Sequence, residues 1–149
     1  FHIQLNYTAE GPYERAARKE LEPIANVAPL TLGPLDEPEY ASFIDRCHVV
    51  LMPYCPQRYK ARGSGLIHEA IQRGRPVVVP GHTELGAFVS ESGIGTAFDV
   101  YQPVSIAHAI QRVARSYDTY RAAVQRTAAR RNPVREADDY INLLWRTQQ

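Results

Sequence analysis

Up to Phe98 the chain alternates apolar runs of strand length with amphipathic segments of helix length. The runs fall at His2 to Tyr7, Val27 to Leu32, His48 to Met52, Pro76 to Val79 and Gly95 to Phe98. Two of them, centred on Val49-Val50-Leu51-Met52 and Val77-Val78-Val79, are apolar at every position, as expected of strands covered by helices on both faces. Helix-period segments lie between them, at about Glu10 to Leu21, Pro38 to Arg46, Ser64 to Arg73 and Thr83 to Ser92. That alternation is the pattern of βαβ units and a parallel sheet. Beyond Phe98 the spacing of Val104, Ala107, Ile110, Val113, Ala114 and Tyr117 predicts a helix, followed by helices over Tyr117 to Arg131 and Glu136 to Arg146, which Pro133 separates. Tyr117, Tyr120, Tyr140 and Trp145 sit at core-like spacing in this tail. No linker divides the sequence, so it predicts one α/β domain over residues 1–149: a doubly wound, Rossmann-like parallel sheet of about five to six strands with extra C-terminal helices.

Composition narrows the class without naming a chemistry. The 149 residues, 44% apolar and 22% charged, suit a globular domain that buries about 70% of the surface of its unfolded chain. No apolar run approaches the ~20 residues of a membrane-spanning helix. A net charge of +1 gives no bulk field that would select a nucleic acid. Charge is uneven locally, with seven arginines from Arg112 to Arg135 and Asp118 the only acid among them. They read as solvated helix faces, and the alternative is an anionic-surface patch, for peripheral contact with a membrane or for a nucleic acid. Cys47 and Cys55 flank a predicted strand without a CxxC spacing, which points to free, buried thiols of a reducing cytoplasm. The chain starts at Phe1, inside a predicted strand and without an initiator Met or signal segment, and reads as part of a longer protein.

The carboxyl ends of parallel strands are where ligands bind in such sheets. This draws attention to the loops Thr8 to Gly11, Gly33 to Glu37, Pro53 to Gly65 and Pro80 to Thr83. The third is the richest, with Tyr54, Arg58, Tyr59, Lys60 and Arg62 preceding Gly63-Ser64-Gly65. Ser64 can be an ordinary helix cap between two turn glycines. The alternative is a phosphate site, because glycines let the backbone approach a ligand and the first amides of a helix lack intrahelical partners. Neither G-x-G-x-x-G nor a Walker A loop is present, and Ser64 has the wrong spacing for a G-x-S-x-G nucleophile elbow.

On a helical wheel Leu66, Ile67, Ala70 and Ile71 occupy an arc of about 140°, with Glu69 about 60° outside it. Glu69 has two readings. It can pair with Arg73 one turn on, or reach over the strand ends to accept two hydrogen bonds from a sugar's hydroxyls. His2, His48, His68, His82 and His108 lack metal-ligand spacing. His82, in the loop after the fourth strand, reads first as a turn residue and second as a ligand contact.

These residues carry a family resemblance. Gly33-Pro34-Leu35, the strand His48 to Met52 with Pro53, the run from Ser64 through Glu69-Ala70 to Gly74 and Pro76-Val77-Val78, and Gly93-Ile94-Gly95 occur in the order of motifs typical of one family. The stretch from Tyr40 to Phe98 resembles the C-terminal, nucleotide-sugar-binding domain of GT-B retaining glycosyltransferases of group 1. The resemblance implies a donor-binding half of a two-domain enzyme, with an N-terminal acceptor domain outside this chain. It also implies a nucleoside-diphosphate-sugar donor, transfer with retention, no metal and no further cofactor. A cytoplasmic or inner-membrane-face setting in a bacterial type of glycan synthesis would follow, with a sugar, lipid or protein acceptor.

Carried over by position, Glu69 matches the ribose-binding second glutamate of the family's Glu-x7-Glu motif, and Gly63, Ser64 and Gly65 match the helix start beside the diphosphate. Arg58, Tyr59, Lys60 and Arg62 become the neighbouring donor-binding candidates. The family's phosphate-binding Arg and Lys have Arg15, Arg18 and Lys19 in the matching region, with no one-to-one alignment. The first glutamate of the motif falls on Ala61, a departure at the position that contacts the transferred sugar. Two further readings share the fold: a non-catalytic binding or assembly module, which Ala61 favours, and a sugar-nucleotide epimerase.

Overall fold

Residues 2–5, 11–24, 26, 28–61 and 63–130 are described by a computed structural model; within them the side chains of residues 5, 13, 14, 24, 30, 32 and 58 are left undescribed. The predicted last helix, with Tyr140 and Trp145, lies outside the described residues. The chain divides into two compact units, Phe1–Cys47 and His48–Gln149. Both are α/β with parallel strands, as the sequence predicts.

In the first unit β1 (Ile3–Leu5) and β2 (Leu30–Leu32) pair in parallel, Ile3 opposite Leu30 and Leu5 opposite Leu32. Among the described residues β1 starts one residue after the predicted run and β2 leaves out Ala28 and Pro29 of its run; Asn6, Tyr7 and Val27 lie outside the described residues. The connection holds α1 (Pro12–Leu21) and a 3-10 turn, Glu22–Ile24. Pro at the first turn suits a helix start, since its missing N–H is one the helix would leave unpaired. After β2, α2 (Glu37–Arg46) opens on a capping box in which Asp36 accepts from the Glu39 amide at 2.8 Å and the Glu39 carboxylate accepts from the Asp36 amide at 3.2 Å. The predicted start, Pro38, is thus one residue late.

The second unit carries the larger sheet. Its parallel order is β3-β4-β5, formed by β3 (Val50–Leu51), β4 (Val77–Pro80) and β5 (Gly95–Phe98). Val50 pairs with Val77, and Val77 with Gly95. The five strands therefore pair as a set of two and a set of three. Between β3 and β4 run α3 (Pro56–Tyr59) and α4 (Gly65–Gln72); α5 (Glu84–Ser92) precedes β5; α6 (Pro103–Arg115) and α7 (Tyr117–Arg130) follow it. The single turn α3 stands where the sequence reads as loop.

Both faces of β4 are covered, as its unbroken apolar run predicts. Val78 packs with Phe98, Ala109 and Val113 of α6, while Val77 and Val79, which point to the opposite face, are equally buried. Buried Thr96 keeps its hydroxyl paired by donating to the Ala109 carbonyl at 3.0 Å. Gly95 is demanded by the ladder itself, because a Cβ there would collide with the backbone of Val77. Cys47 is half-buried and Cys55 exposed. The expected burial of both thiols fails at Cys55, which lies at the start of the unpredicted turn α3.

Candidate functional site

At the carboxyl ends of β4 and β5 the second unit opens a cleft of about 630 Å³. One wall is the Lys60-Ala61 segment leading to α4, and another is the turn Gly81-His82-Thr83 with the first residues of α5. Ala97 and Asp99 close it at the end of β5.

The α5 wall is built from one well-paired residue. Thr83 caps the helix: its Oγ1 accepts from the Gly86 amide at 2.9 Å and donates to the Pro80 carbonyl at 2.9 Å, all buried. The Glu84 amide donates to the Lys60 carbonyl at 3.0 Å and the Ala87 amide to the Thr83 carbonyl at 3.0 Å. The amides that a helix start leaves over are thus largely used within the protein. Gly86 is required for this fit, since a Cβ would lie 2.6 Å from the Pro80 carbonyl oxygen. His82 bridges Gly81 and Thr83 in the left-handed region, with φ +54°. Few residues other than glycine adopt it, histidine among the more tolerant. The turn reading of His82 is correct, and the same residue also faces the cleft.

The start of α4 is arranged differently. Ser64 occupies the N-cap position but makes no capping hydrogen bond. Its hydroxyl instead lies 2.9 Å from that of Tyr54. The Tyr54 ring stacks on Tyr59, centroids 4.1 Å apart and planes 12° from parallel. Among the described residues the amides of Gly65 and Leu66 make no hydrogen bond. Gly63 and Gly65 are exposed, and nothing lies within 4 Å of where their Cβ atoms would stand.

The sequence-predicted residues therefore divide. Lys60 reaches the cleft, and among the described residues its ammonium has no hydrogen bond or ion pair. Ala61 lines the same wall. Tyr59 is committed to its stack with Tyr54. Gly63, Ser64 and Gly65 form the adjoining helix start and do not line the cleft. Glu69 lies one turn into α4, its Oε2 4.0 Å from Arg73 Nε and its side chain 43% exposed. Arg62 lies outside the described residues, and the Arg58 side chain outside what is described of α3. Arg15, Arg18 and Lys19 lie on α1 of the first unit, where Arg18 Nε donates to Glu22 at 3.0 Å.

Glu84, Ser90 and Asp99 also line the cleft and are absent from the sequence-derived set, while Thr83 ends the Pro80 to Thr83 loop that the sequence singles out. The strand-end rule that selected the Pro80 to Thr83 loop also covers the loop after β5, and applying it there finds Asp99. Among the described residues no group of three His, Cys, Asp or Glu side chains comes together, and no helix is long and apolar enough to cross a membrane. No protein-family model and no curated protein sequence matches the chain.

Proposed function

We propose that the second unit holds the diphosphate and sugar of a nucleoside-diphosphate-sugar, as part of the donor-binding half of a retaining, GT-B-type glycosyltransferase. The observation that carries this reading is the start of α4: an uncapped helix of eight residues with two exposed glycines at its start and, among the described residues, two open amides, next to a cleft with Lys60, whose ammonium has no partner among the described residues, on its wall. Open amides at a helix start favour an anion, through both their hydrogen-bonding capacity and the positive end of the helix dipole. A diphosphate is the anion whose departure such a site assists. As the bond from the anomeric carbon to the phosphate oxygen breaks, negative charge grows on that oxygen, and fixed N–H groups and cations stabilise it at little reorganisation cost. Lys60 is the cation on the cleft wall, and Arg58 and Arg62 belong to the same loop. Glu69 would accept the ribose hydroxyls.

The fold expected of such a half is a doubly wound sheet of about five to six strands, and the three-stranded parallel sheet β3-β4-β5 is compatible with it. Calorimetric titration with UDP, GDP and ADP tests the reading. Saturable binding of at least one supports it, and absence of binding by all three at millimolar concentration overturns it.

Ala61 favours a second reading. It faces the cleft where the resemblance places a sugar-binding glutamate, so the domain would bind nucleotide as a non-catalytic module. This half alone is expected to turn over nothing under either reading, so the assay that separates them is of donor hydrolysis and sugar transfer by the full-length protein with its acceptor domain: nucleotide binding without either reaction supports the module.

A further inference from the structure

Asp99 is the group in the cleft that the phosphate-binding reading leaves without a task. It follows β5 directly, and its carboxylate is laid against the Gly81 turn. The Gly81 amide donates to the Phe98 carbonyl at 2.8 Å, bringing the two strand ends together. A Cβ on Gly81 would lie 3.0 Å from Asp99 Oδ1 and 3.1 Å from the Phe98 carbonyl oxygen, so glycine gives the carboxylate its room. Among the described residues Asp99 makes no hydrogen bond and no ion pair, not even with Lys60 in the same cleft.

The other carboxylate, Glu84, stands in the first turn of α5. There an acid stabilises the helix through its dipole, which is reason enough for its presence. Asp99 has no such role: α6 begins later, at Pro103, with Gln102 at its cap. What remains is an exposed acceptor, free of donors among the described residues, facing a cleft that also holds a cation. An ionised carboxylate accepts two hydrogen bonds from neighbouring hydroxyls, and bonds to a charged acceptor are roughly twice as strong as neutral ones.

We infer that Asp99 recognises the hydroxyl groups of the sugar, supplying from β5 the acceptor that Ala61 does not offer from the α4 side. The inference rests on the proposed nucleotide-sugar reading of the cleft. It assigns sugar specificity to the loop after β5, with the nucleotide held separately at α4.

The test compares each sugar nucleotide with its own sugar-free nucleotide: UDP-glucose and UDP-galactose with UDP, GDP-mannose with GDP, ADP-glucose with ADP. Calorimetry is run on the wild-type protein, Asp99→Asn and Asp99→Ala. Asp99 is exposed and has no partner among the described residues, so both variants are expected to fold, and thermal unfolding checks this. The sugar should raise wild-type affinity for at least one pair, and both variants should lose about tenfold of that gain while binding the sugar-free nucleotide as before. Asp99→Glu should recover part of it. If the variants keep the gain, or wild type shows none with any pair, the assignment of Asp99 is overturned while nucleotide binding stands. If no nucleotide binds wild type, the nucleotide-sugar reading and this inference fall together.

Discussion

The hydroxyls of Tyr54 and Ser64 lie 2.9 Å apart, and this contact turns the cap residue of α4 away from the helix it would otherwise close. In Tyr54→Phe the Ser64 hydroxyl is free to accept from the open Leu66 amide, the Ile67 amide already donating to the Ser64 carbonyl at 3.3 Å. The lost hydrogen bond and the new cap, each worth about 1 kcal/mol, offset one another. Chemical denaturation should show almost unchanged stability, while nucleoside-diphosphate affinity falls about two- to fivefold because the cap competes for the same amides.

Glu69→Ala separates the two roles of that carboxylate. At 4.0 Å and 43% exposure the pair with Arg73 is long and solvent-screened, and contributes at most a few tenths of a kcal/mol. Stability should hold, and nucleoside-diphosphate binding should weaken about tenfold through loss of the ribose acceptor. Unchanged affinity in a titration would leave Glu69 with the Arg73 pair alone.

Gly86→Ala should destabilise the protein although alanine is the better helix former. The propensity gain is about 1 kcal/mol. Against it, the new Cβ would stand 2.6 Å from the Pro80 carbonyl oxygen, a backbone atom that cannot swing aside. Overpacking of this kind costs about 1–3 kcal/mol. A lower urea midpoint with an unchanged slope is expected, and a raised midpoint would show that α5 shifts freely.

Thr83→Ala removes the α5 cap and the bond to Pro80 together. A cap loss costs about 1 kcal/mol, and the Gly86 amide is left unpaired in a buried place. Thr83→Ser should keep most of the stability, because the hydroxyl makes both contacts. Equal loss in the two variants, read by thermal unfolding, would place the effect in the methyl group.

Legibility followed how much apolar surface each element buries. The run Val77-Val78-Val79 is buried on both faces and announces β4 directly, and helix starts with caps, Asp36 before α2 and Thr83 before α5, fall within a residue or two of expectation. The turn α3 spans only Pro56–Tyr59, too short to impose an apolar period. At the site, glycines and cations close in sequence were readable as the start of α4. The strand-end rule reaches Asp99 by position, but its approach to Gly81 was not readable, because it depends on the pairing of β4 with β5. Nor could spacing show that Ser64 bonds Tyr54 in preference to its own helix.

The most direct test of the central claim, a diphosphate held at the start of α4, is an amide-resolved NMR titration of the protein with UDP, GDP and ADP. Saturable shifts of the Gly65 and Leu66 amides with at least one of them, reduced in Lys60→Ala, are the predicted result. Shifts confined to other parts of the chain, or no saturable shift with any of the three at millimolar concentration, would contradict it.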